Sequence, residues 1–377
     1  MSVSYFKHVR VTGMKSVIPE HFIDIDDEIQ YFEDNPKKLA RQKKMIGYGR
    51  RYIADDRTTV TDLACDAARK LMAELSLRPE DVGMLIFVNQ KPDYPEPCDA
   101  NIAHGSLSLP KTTPALDINL GCSGYIYAML TAHAMIESGA VRSCMLLAGD
   151  MCGRSNDQSN RKSAPVFGDA ASATYLEYSE TERSATFVMG ADGKGWNKIV
   201  HPFGGMRLPH DEKTVTMQFE DVSGATVNVN QGVMKGEDVF AFTMDVAPRL
   251  INDTMAAAKL KSDDVDLFAI HQANKQILEM IVAKAGIPLD KTPTDVFSKY
   301  ANNSTSSVVT VVCDQPKDCK IGRTVMAAFG IGLSWGGAAL DLTGMYNGGI
   351  STYITPPNAP SREEQIEYWR KFFKGEI

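Results

Sequence analysis

Leu77-Arg78-Pro79-Glu80-Asp81-Val82 leads into Met84-Leu85-Ile86-Phe87-Val88, and Leu260-Lys261-Ser262-Asp263-Asp264-Val265 leads into Leu267-Phe268-Ala269-Ile270-His271. Each stretch runs leucine, base, turn residue, two acids and valine, then a short apolar β-rich segment. A helical apolar pattern precedes each, roughly Val60 to Leu75 and roughly Val239 to Lys259. The strands close on Asn89-Gln90 and His271-Gln272. A second pair repeats the relation, since Cys144-Met145-Leu146-Leu147-Ala148-Gly149 resembles Val325-Met326-Ala327-Ala328-Phe329-Gly330. Both offsets are about 180 residues, so the chain is read as a duplicated α/β half. The expected units are residues 1–180, residues 181–347 and a tail, 348–377, ending in a charged amphipathic helix at about Ser361 to Phe373. Gly190 to Gly224, rich in Gly, His and Asp, reads as a long loop region beside the active site.

Ile118-Asn119-Leu120-Gly121-Cys122-Ser123-Gly124-Tyr125 places a cysteine where a β-rich approach turns into a helix that stops near Gly139. A thiol there faces unpaired N–H groups and the positive end of the helix dipole, which predicts a lowered pKa. The competing reading of Cys122 is a small buried apolar residue. If a pseudo-twofold relates the halves, the ends of matching strands converge. Cys122 then corresponds to about Asn302 or Asn303, and His271 points into the same cleft. A thiolate accepts an acyl group from a thioester without ATP. Neutral His and Asn N–H donors would then stabilise an enolate oxygen. A cysteine protease uses the same three residue types, and the Asn302 segment does not decide between the two chemistries.

Bulk properties fit an enzyme of the cytoplasm. The chain has 377 residues, 44% of them hydrophobic, enough for a large core. Net charge of -7 argues against general nucleic-acid binding. No signal peptide is expected at the N-terminus, and no apolar run is long enough to span a membrane. The seven cysteines lack a Cys-x-x-Cys pair, which argues against a disulfide framework or a structural zinc site.

From about Val9 to Leu342 the chain resembles the β-ketoacyl-acyl-carrier-protein synthase III family of the thiolase superfamily. Cys122-Ser123-Gly124 looks like its nucleophile turn, and His271-Gln272-Ala273-Asn274 matches its His motif. Tyr300-Ala301-Asn302-Asn303-Ser304 resembles its Gly-Asn-Thr-Ser motif, with Asn302 on the catalytic Asn. Phe167-Gly168-Asp169-Ala170-Ala171 matches its Phe-Gly-Asp-Gly-Ala turn, and Ala328 to Gly336 resembles its glycine-rich loop. The resemblance implies a thiolase-like five-layer αβαβα fold, a homodimer, and catalysis by Cys122, His271 and Asn302. It implies an oxyanion-binding loop at Gly330, Ile331 and Gly332. No cofactor or metal is implied. Coenzyme A or phosphopantetheine, on an acyl-CoA or an acyl-carrier protein, carries the substrate.

Departures from the pattern bear on substrate. Ile331 stands where the family usually has Gly. Met45 and Gln276 replace arginines used for coenzyme A and carrier-protein contact, which counts against a housekeeping role in fatty-acid initiation. Candidate replacements are Asn274, Lys275 and a basic cluster, Lys37, Lys38, Arg41, Lys43, Lys44, Arg50 and Arg51, whose competing reading is a solvated helix face. Glu96, in Asp93-Tyr94-Pro95-Glu96-Pro97-Cys98, falls where the initiators carry a Phe that crosses the dimer interface. It resembles the glutamate base of olefin- and α-pyrone-pathway relatives, which join two acyl chains without decarboxylation; a surface-loop glutamate is the plainer alternative. Two further readings stay open: acyl transfer to an oxygen or nitrogen acceptor, and a non-catalytic ketosynthase partner subunit.

Overall fold

The computed structural model describes residues 1–155, 163–220, 226–228 and 232–377. Residues 221–224 of the expected Gly190–Gly224 loop region therefore lie outside the described residues.

The two opening stretches fold alike. The Arg78 N–H donates to Asp81 Oδ2 at 2.8 Å, and the Lys261 N–H to Asp264 Oδ2 at 2.9 Å. Each aspartate thus closes one tight turn, Pro79–Asp81 or Ser262–Asp264, and delivers the chain into a buried strand, Leu85–Val88 or Leu267–Ile270. The helices ahead of them are Val60–Glu74 and Gly236–Ala257. Thr59 and Asp62 cap the first reciprocally, and its Val60, Leu63, Ala64, Ala67, Ala68 and Leu71 form one buried stripe.

Two sheets carry the fold. The first runs Tyr346–Tyr353, Val9–Pro19, Ala170–Tyr178, Ser143–Asp150, Leu85–Val88, Ala115–Ile118. The second runs Ser2–Phe6, Ala185–Ala191, Ser334–Asp341, Arg323–Gly330, Leu267–Ile270. Four strands match in order and direction. Val9–Pro19 against Ala170–Tyr178 and Ala185–Ala191 against Ser334–Asp341 are both antiparallel. So are Ser143–Asp150 against Ala170–Tyr178 and Arg323–Gly330 against Ser334–Asp341. Leu85–Val88 and Leu267–Ile270 then join in parallel. The expected duplication is present at the level of strand order.

Helix Val60–Glu74 packs on the outer face of the first sheet and Gly236–Ala257 on that of the second. Gly124–Glu137 and Ser307–Cys313 each touch strands of both sheets. This is the expected five-layer αβαβα arrangement. Ser307–Cys313 is buried on every side, which explains its uninterrupted Val-rich sequence. Fully burying each of Val308, Val309, Val311 and Val312 contributes roughly 1.5–3 kcal/mol.

The terminal strands cross the expected limits of the halves. Ser2–Phe6 pairs with Ala185–Ala191 in the second sheet, and Tyr346–Tyr353 pairs in parallel with Val9–Pro19 in the first. The tail after 348 thus begins inside a strand before reaching the expected helix, Arg362–Phe373.

Candidate active site

Parallel strands put their C-terminal ends on one side of a sheet, where α/β folds bind ligands. In the first sheet Ala115–Ile118, Leu85–Val88 and Ser143–Asp150 end together, at the Cys122 turn, Asn89 and Asp150. In the second, Leu267–Ile270 and Arg323–Gly330 end at His271 and Gly330.

The Cys122 turn is tight. The Leu120 N–H donates to the Ile118 carbonyl at 3.0 Å and the Gly124 N–H to the Gly121 carbonyl at 2.6 Å. Helix Gly124–Glu137 follows at once. Ser123 at its N-cap does not cap with its side chain; its Oγ lies 2.7 Å from Ser334 Oγ, tying the turn to the second sheet. A Cβ at Gly121 would lie 2.3 Å from Ile331 Cγ2 and 2.4 Å from Gln90 Oε1. A Cβ at Gly330 would lie 3.1 Å from Cys122 Sγ. Glycine at both positions lets loops from the two halves close around the sulfur, with no room for a Cβ at Gly121 unless Ile331 and Gln90 shift and a tight fit for one at Gly330. Neither Cys122 nor Ile331 donates its main-chain N–H to a main-chain carbonyl among the described residues, so both donors are available to a developing oxyanion.

Cys122 keeps partial exposure, with Ser304 Oγ 3.9 Å from its sulfur. Burial pushes its thiol up to about 12; the Ser304 hydroxyl pulls it down and the Asp150 carboxyl pushes it up. The lowered pKa expected from the helix end is therefore overturned. Burial of the sulfur, the largest influence on it, acts against the thiolate.

His271 donates its main-chain N–H to the Ala327 carbonyl at 2.9 Å, extending the parallel ladder past the strand end. Its side chain is buried, edge-on to Phe329 at 5.8 Å between ring centres. His271 and Cys122 thus flank consecutive residues of one strand end, Phe329 and Gly330. Burial pushes His271 down to about 4, so the ring is neutral near pH 7. Nδ1 has no partner among the described residues. A neutral ring can donate one N–H, as an enolate-stabilising role requires.

Asn302 is 6% exposed and fixed from three directions. Its N–H donates to the Val166 carbonyl at 3.0 Å, and its carbonyl accepts from the Gly168 N–H at 3.2 Å. Oδ1 accepts the Ser304 N–H at 2.9 Å. Because only an oxygen can accept from that N–H, the amide is oriented and Nδ2 is left as a donor. The preceding Ala301 has φ 58 and ψ −164, a backbone conformation natural to glycine. Alanine occupies it here, where the resembling motif has Gly.

Sequence reasoning missed several groups. Gln272 clamps the segment after His271. Its Nε2 donates to the Ile270 and Pro293 carbonyls at 3.0 and 3.1 Å, its N–H to Ser307 Oγ at 2.8 Å, and its Oε1 accepts the Phe297 N–H at 3.2 Å. Asp150 is 1% exposed and held above the usual carboxylate range by burial. The available signal was an acid closing the apolar run Cys144–Gly149. Asp169 is structural: its carboxyl accepts the N–H groups of Ala54, Gly153 and Arg154 at 2.7–3.2 Å.

Glu96 is exposed, on the loop between Leu85–Val88 and helix Asp99–Ser106. That loop is anchored by the Asp93 N–H donating to Asp99 Oδ1 at 3.0 Å and the Asp99 N–H to Asp117 Oδ2 at 2.9 Å. Within one chain, Glu96 is a surface-loop residue.

The carrier candidates divide. Arg51 is a correction: its guanidinium is buried against Glu28, so it is a structural ion pair and presents no charge to a phosphate. Arg50 lies over the Phe22 ring and pairs with Asp24 at 3.4 Å. Asn274 caps helix Lys275–Ala285, its Oδ1 accepting the Ile277 N–H at 2.9 Å. Lys275 packs its Cβ against Gly47 and pairs loosely with Glu279 at 3.8 Å. Lys38 and Lys43 pair with Glu33 and Asp26, each at 2.6 Å. Lys37, Arg41 and Lys44 have no ion pair among the described residues. An open groove of about 600 Å³, lined by Asp26, Pro36, Leu39, Ala40, Lys43 and Lys44, lies on this face rather than at Cys122. Among the described residues, no cluster of His, Cys, Asp and Glu could hold a metal ion, and no helix is long and apolar enough to cross a membrane.

The family profile for 3-oxoacyl-[acyl-carrier-protein] synthase III matches residues 116–193, spanning Cys122, and its C-terminal profile matches residues 255–342, spanning His271, Asn302 and Gly330. A Campylobacter jejuni protein provisionally named 3-oxoacyl-[acyl-carrier-protein] synthase 3 is 33% identical, over 92% of this chain and 98% of its own. The chain belongs to the 3-oxoacyl-[acyl-carrier-protein] synthase III family. A Staphylococcus aureus β-ketoacyl-[acyl-carrier-protein] synthase III is 30% identical over 87% of this chain and 97% of its own. The crystal structure of a 3-oxoacyl-(acyl-carrier protein) synthase from Burkholderia xenovorans superimposes with a TM-score of 0.85 at 32% identity, covering 93% of this chain and 99% of that one. Family members are condensing enzymes, transferases that form carbon–carbon bonds, and the thiolase fold expected from the motifs is the fold observed.

Proposed function

We propose that an acyl group passes from an acyl-CoA or acyl-carrier protein to Cys122, and that the acyl-enzyme then undergoes Claisen condensation with a second thioester. The observation that carries this reading is the meeting of both halves at the sulfur: Gly330 abuts Cys122, and Ser304, beside Asn302, lies 3.9 Å from it. Thioester exchange is nearly isoenergetic, so loading needs no ATP. The Cys122 and Ile331 N–H groups receive the tetrahedral oxyanion, and the neutral His271 ring and the Asn302 Nδ2 receive the enolate oxygen. No cofactor or metal takes part; coenzyme A or phosphopantetheine is the carrier. The protein acts as a homodimer in the cytoplasm.

For the second thioester, malonyl units form the carbanion by losing carbon dioxide, whereas a plain acyl thioester needs a base. Glu96 is that base on this proposal. Its exposure on its own chain fits delivery into the partner's cleft. The substitutions at Met45, Gln276 and Ile331 favour a specialised lipid or polyketide pathway over fatty-acid initiation. Intact mass after incubation with a series of acyl-coenzyme A thioesters tests loading. An acyl-sized gain absent from Cys122→Ala supports the reading, and no gain from any coenzyme A or carrier-protein donor overturns it.

A further inference from the structure

The loop that carries Glu96 has a short, stiff tip. Asp93 fixes one side of it: its N–H donates to Asp99 Oδ1 at 3.0 Å, and its Oδ2 accepts the Thr59 hydroxyl at 2.9 Å. Asp99 fixes the other, its N–H donating to Asp117 Oδ2 at 2.9 Å. Tyr94, Pro95, Glu96 and Pro97 stand between these anchors, all exposed. Pro95 and Pro97 have a restricted φ, and each also restricts the residue before it, Tyr94 and Glu96. The tip therefore turns as a unit rather than residue by residue. Among the described residues it makes no hydrogen bond or ion pair, and a single ring contact. The Tyr94 ring meets Trp369 edge-on, with 5.9 Å between ring centres and 81° between planes.

Trp369 comes from helix Arg362–Phe373, which starts with a reciprocal cap. The Glu364 N–H donates to Ser361 Oγ at 3.2 Å, and the Ser361 N–H to Glu364 Oε2 at 2.8 Å. No residue of this helix is buried. Its Tyr368, Trp369, Phe372 and Phe373 lie against one another, and among the described residues Tyr94 is the one ring from outside the helix that joins them. Helix and loop also share a footing. Thr355, in the segment before the helix, has its Oγ1 2.7 Å from Thr58 Oγ1, and the next residue, Thr59, holds Asp93. Both helix and loop lie outside the stretches matched by the family profiles, 116–193 and 255–342.

We infer that helix Arg362–Phe373 is a clasp for the Glu96 loop, with Trp369 a positioning residue that acts through Tyr94 on where the Glu96 carboxyl stands. The inference rests on the reading of Glu96 as the base for a plain acyl thioester. The helix adds no group and no step to the reaction. A general base must come within hydrogen-bond reach of the proton it removes, and a displacement of about 1 Å can cost about 100-fold. Acyl loading of Cys122 takes no base from this loop, so the clasp bears on condensation alone.

The test measures condensation per loaded enzyme. Protein is loaded from acetyl- or octanoyl-coenzyme A, its loading is verified by intact mass, and one turnover with the same thioester as second substrate is followed. Trp369→Ala lowers the condensation rate at least about tenfold while loading stays within about threefold of wild type. Trp369→Phe keeps a ring at the contact and returns the rate to within about threefold. Tyr94→Ala matches Trp369→Ala, and the double variant is no slower than either alone, because both break one contact. A helix that serves only folding would lower loading and condensation together, and losses that multiply in the double variant would have separate causes; either result overturns the clasp. An undiminished rate in Trp369→Ala beside a slow Glu96→Gln overturns it too, and leaves Glu96 as the base. A wild-type rate in Glu96→Gln is a different outcome: it removes the reading of Glu96 as base, and the clasp with it. Wild type that acquires no acyl group from any donor removes the acyl-enzyme reading itself.

Discussion

Replacing Ala301 with glycine should make the protein more stable while leaving every polar contact of Asn302 in place. Ala301 has φ 58 and ψ −164, a region where a Cβ clashes with its own backbone, at a cost of about 1–3 kcal/mol. Glycine removes that cost. It also gives the unfolded chain more freedom, which returns about 0.4–1 kcal/mol. Ala301 is 3% exposed, so losing its methyl costs about a further 0.8 kcal/mol of burial. With strain in the upper part of its range, the balance favours Ala301→Gly by about 1 kcal/mol. Urea unfolding followed by fluorescence reads this as a higher midpoint at unchanged slope, beyond the scatter of replicate curves. Acylation of Cys122 should be unaltered, because Asn302 is fixed by Val166, Gly168 and Ser304 rather than by residue 301. A lower midpoint for Ala301→Gly would show that the strain at residue 301 is smaller than the roughly 1.2–1.8 kcal/mol of the two opposing terms, and would refute strain in the upper part of its range.

Other substitutions test the roles separately. Asn302→Ala removes the Nδ2 donor and should slow condensation by about 10²–10³ while acyl loading persists, measured by comparing product formation with the mass of the loaded enzyme. Glu96→Gln should abolish condensation of two plain acyl thioesters and spare any malonyl-dependent turnover; equal rates with the plain substrates would show that Glu96 is not the base. Arg51→Ala leaves Glu28 buried without its guanidinium and should cost about 3–5 kcal/mol in denaturant unfolding. The KM for a coenzyme A donor should stay the same in whatever fraction of Arg51→Ala folds, whereas replacing Lys37, Arg41 and Lys44 should change stability by less than about 0.5 kcal/mol.

Local chemistry made much of the fold legible. Asp81 and Asp264 each close the same turn with one hydrogen bond to the residue three before, and such a device leaves its mark within six residues of sequence. The strand-to-helix turn at Cys122 is local in the same way. The exchange of the terminal strands is not. Ser2 faces Met189 and Tyr346 faces Gly13, pairings set by the assembled sheets with no short-range signal. The same distinction runs through the site. Cys122, His271 and Asn302 stand in motifs, but the partners that tune them come from far along the chain: Ser304 for Cys122, Phe329 for His271, Val166 for Asn302. The Cys122 pKa was misjudged because a helix end can be read from sequence and the loss of water around the sulfur cannot. Arg51 looked like one of a basic run because its acid, Glu28, lies on another element.

The most direct test is the mass of the intact protein after exposure to acyl-coenzyme A and acyl-carrier-protein donors, with Cys122→Ala in parallel. The account predicts a gain of one acyl group on wild type, located on the Cys122 peptide and missing from the variant. A gain that persists in Cys122→Ala, or none from any donor, would contradict it.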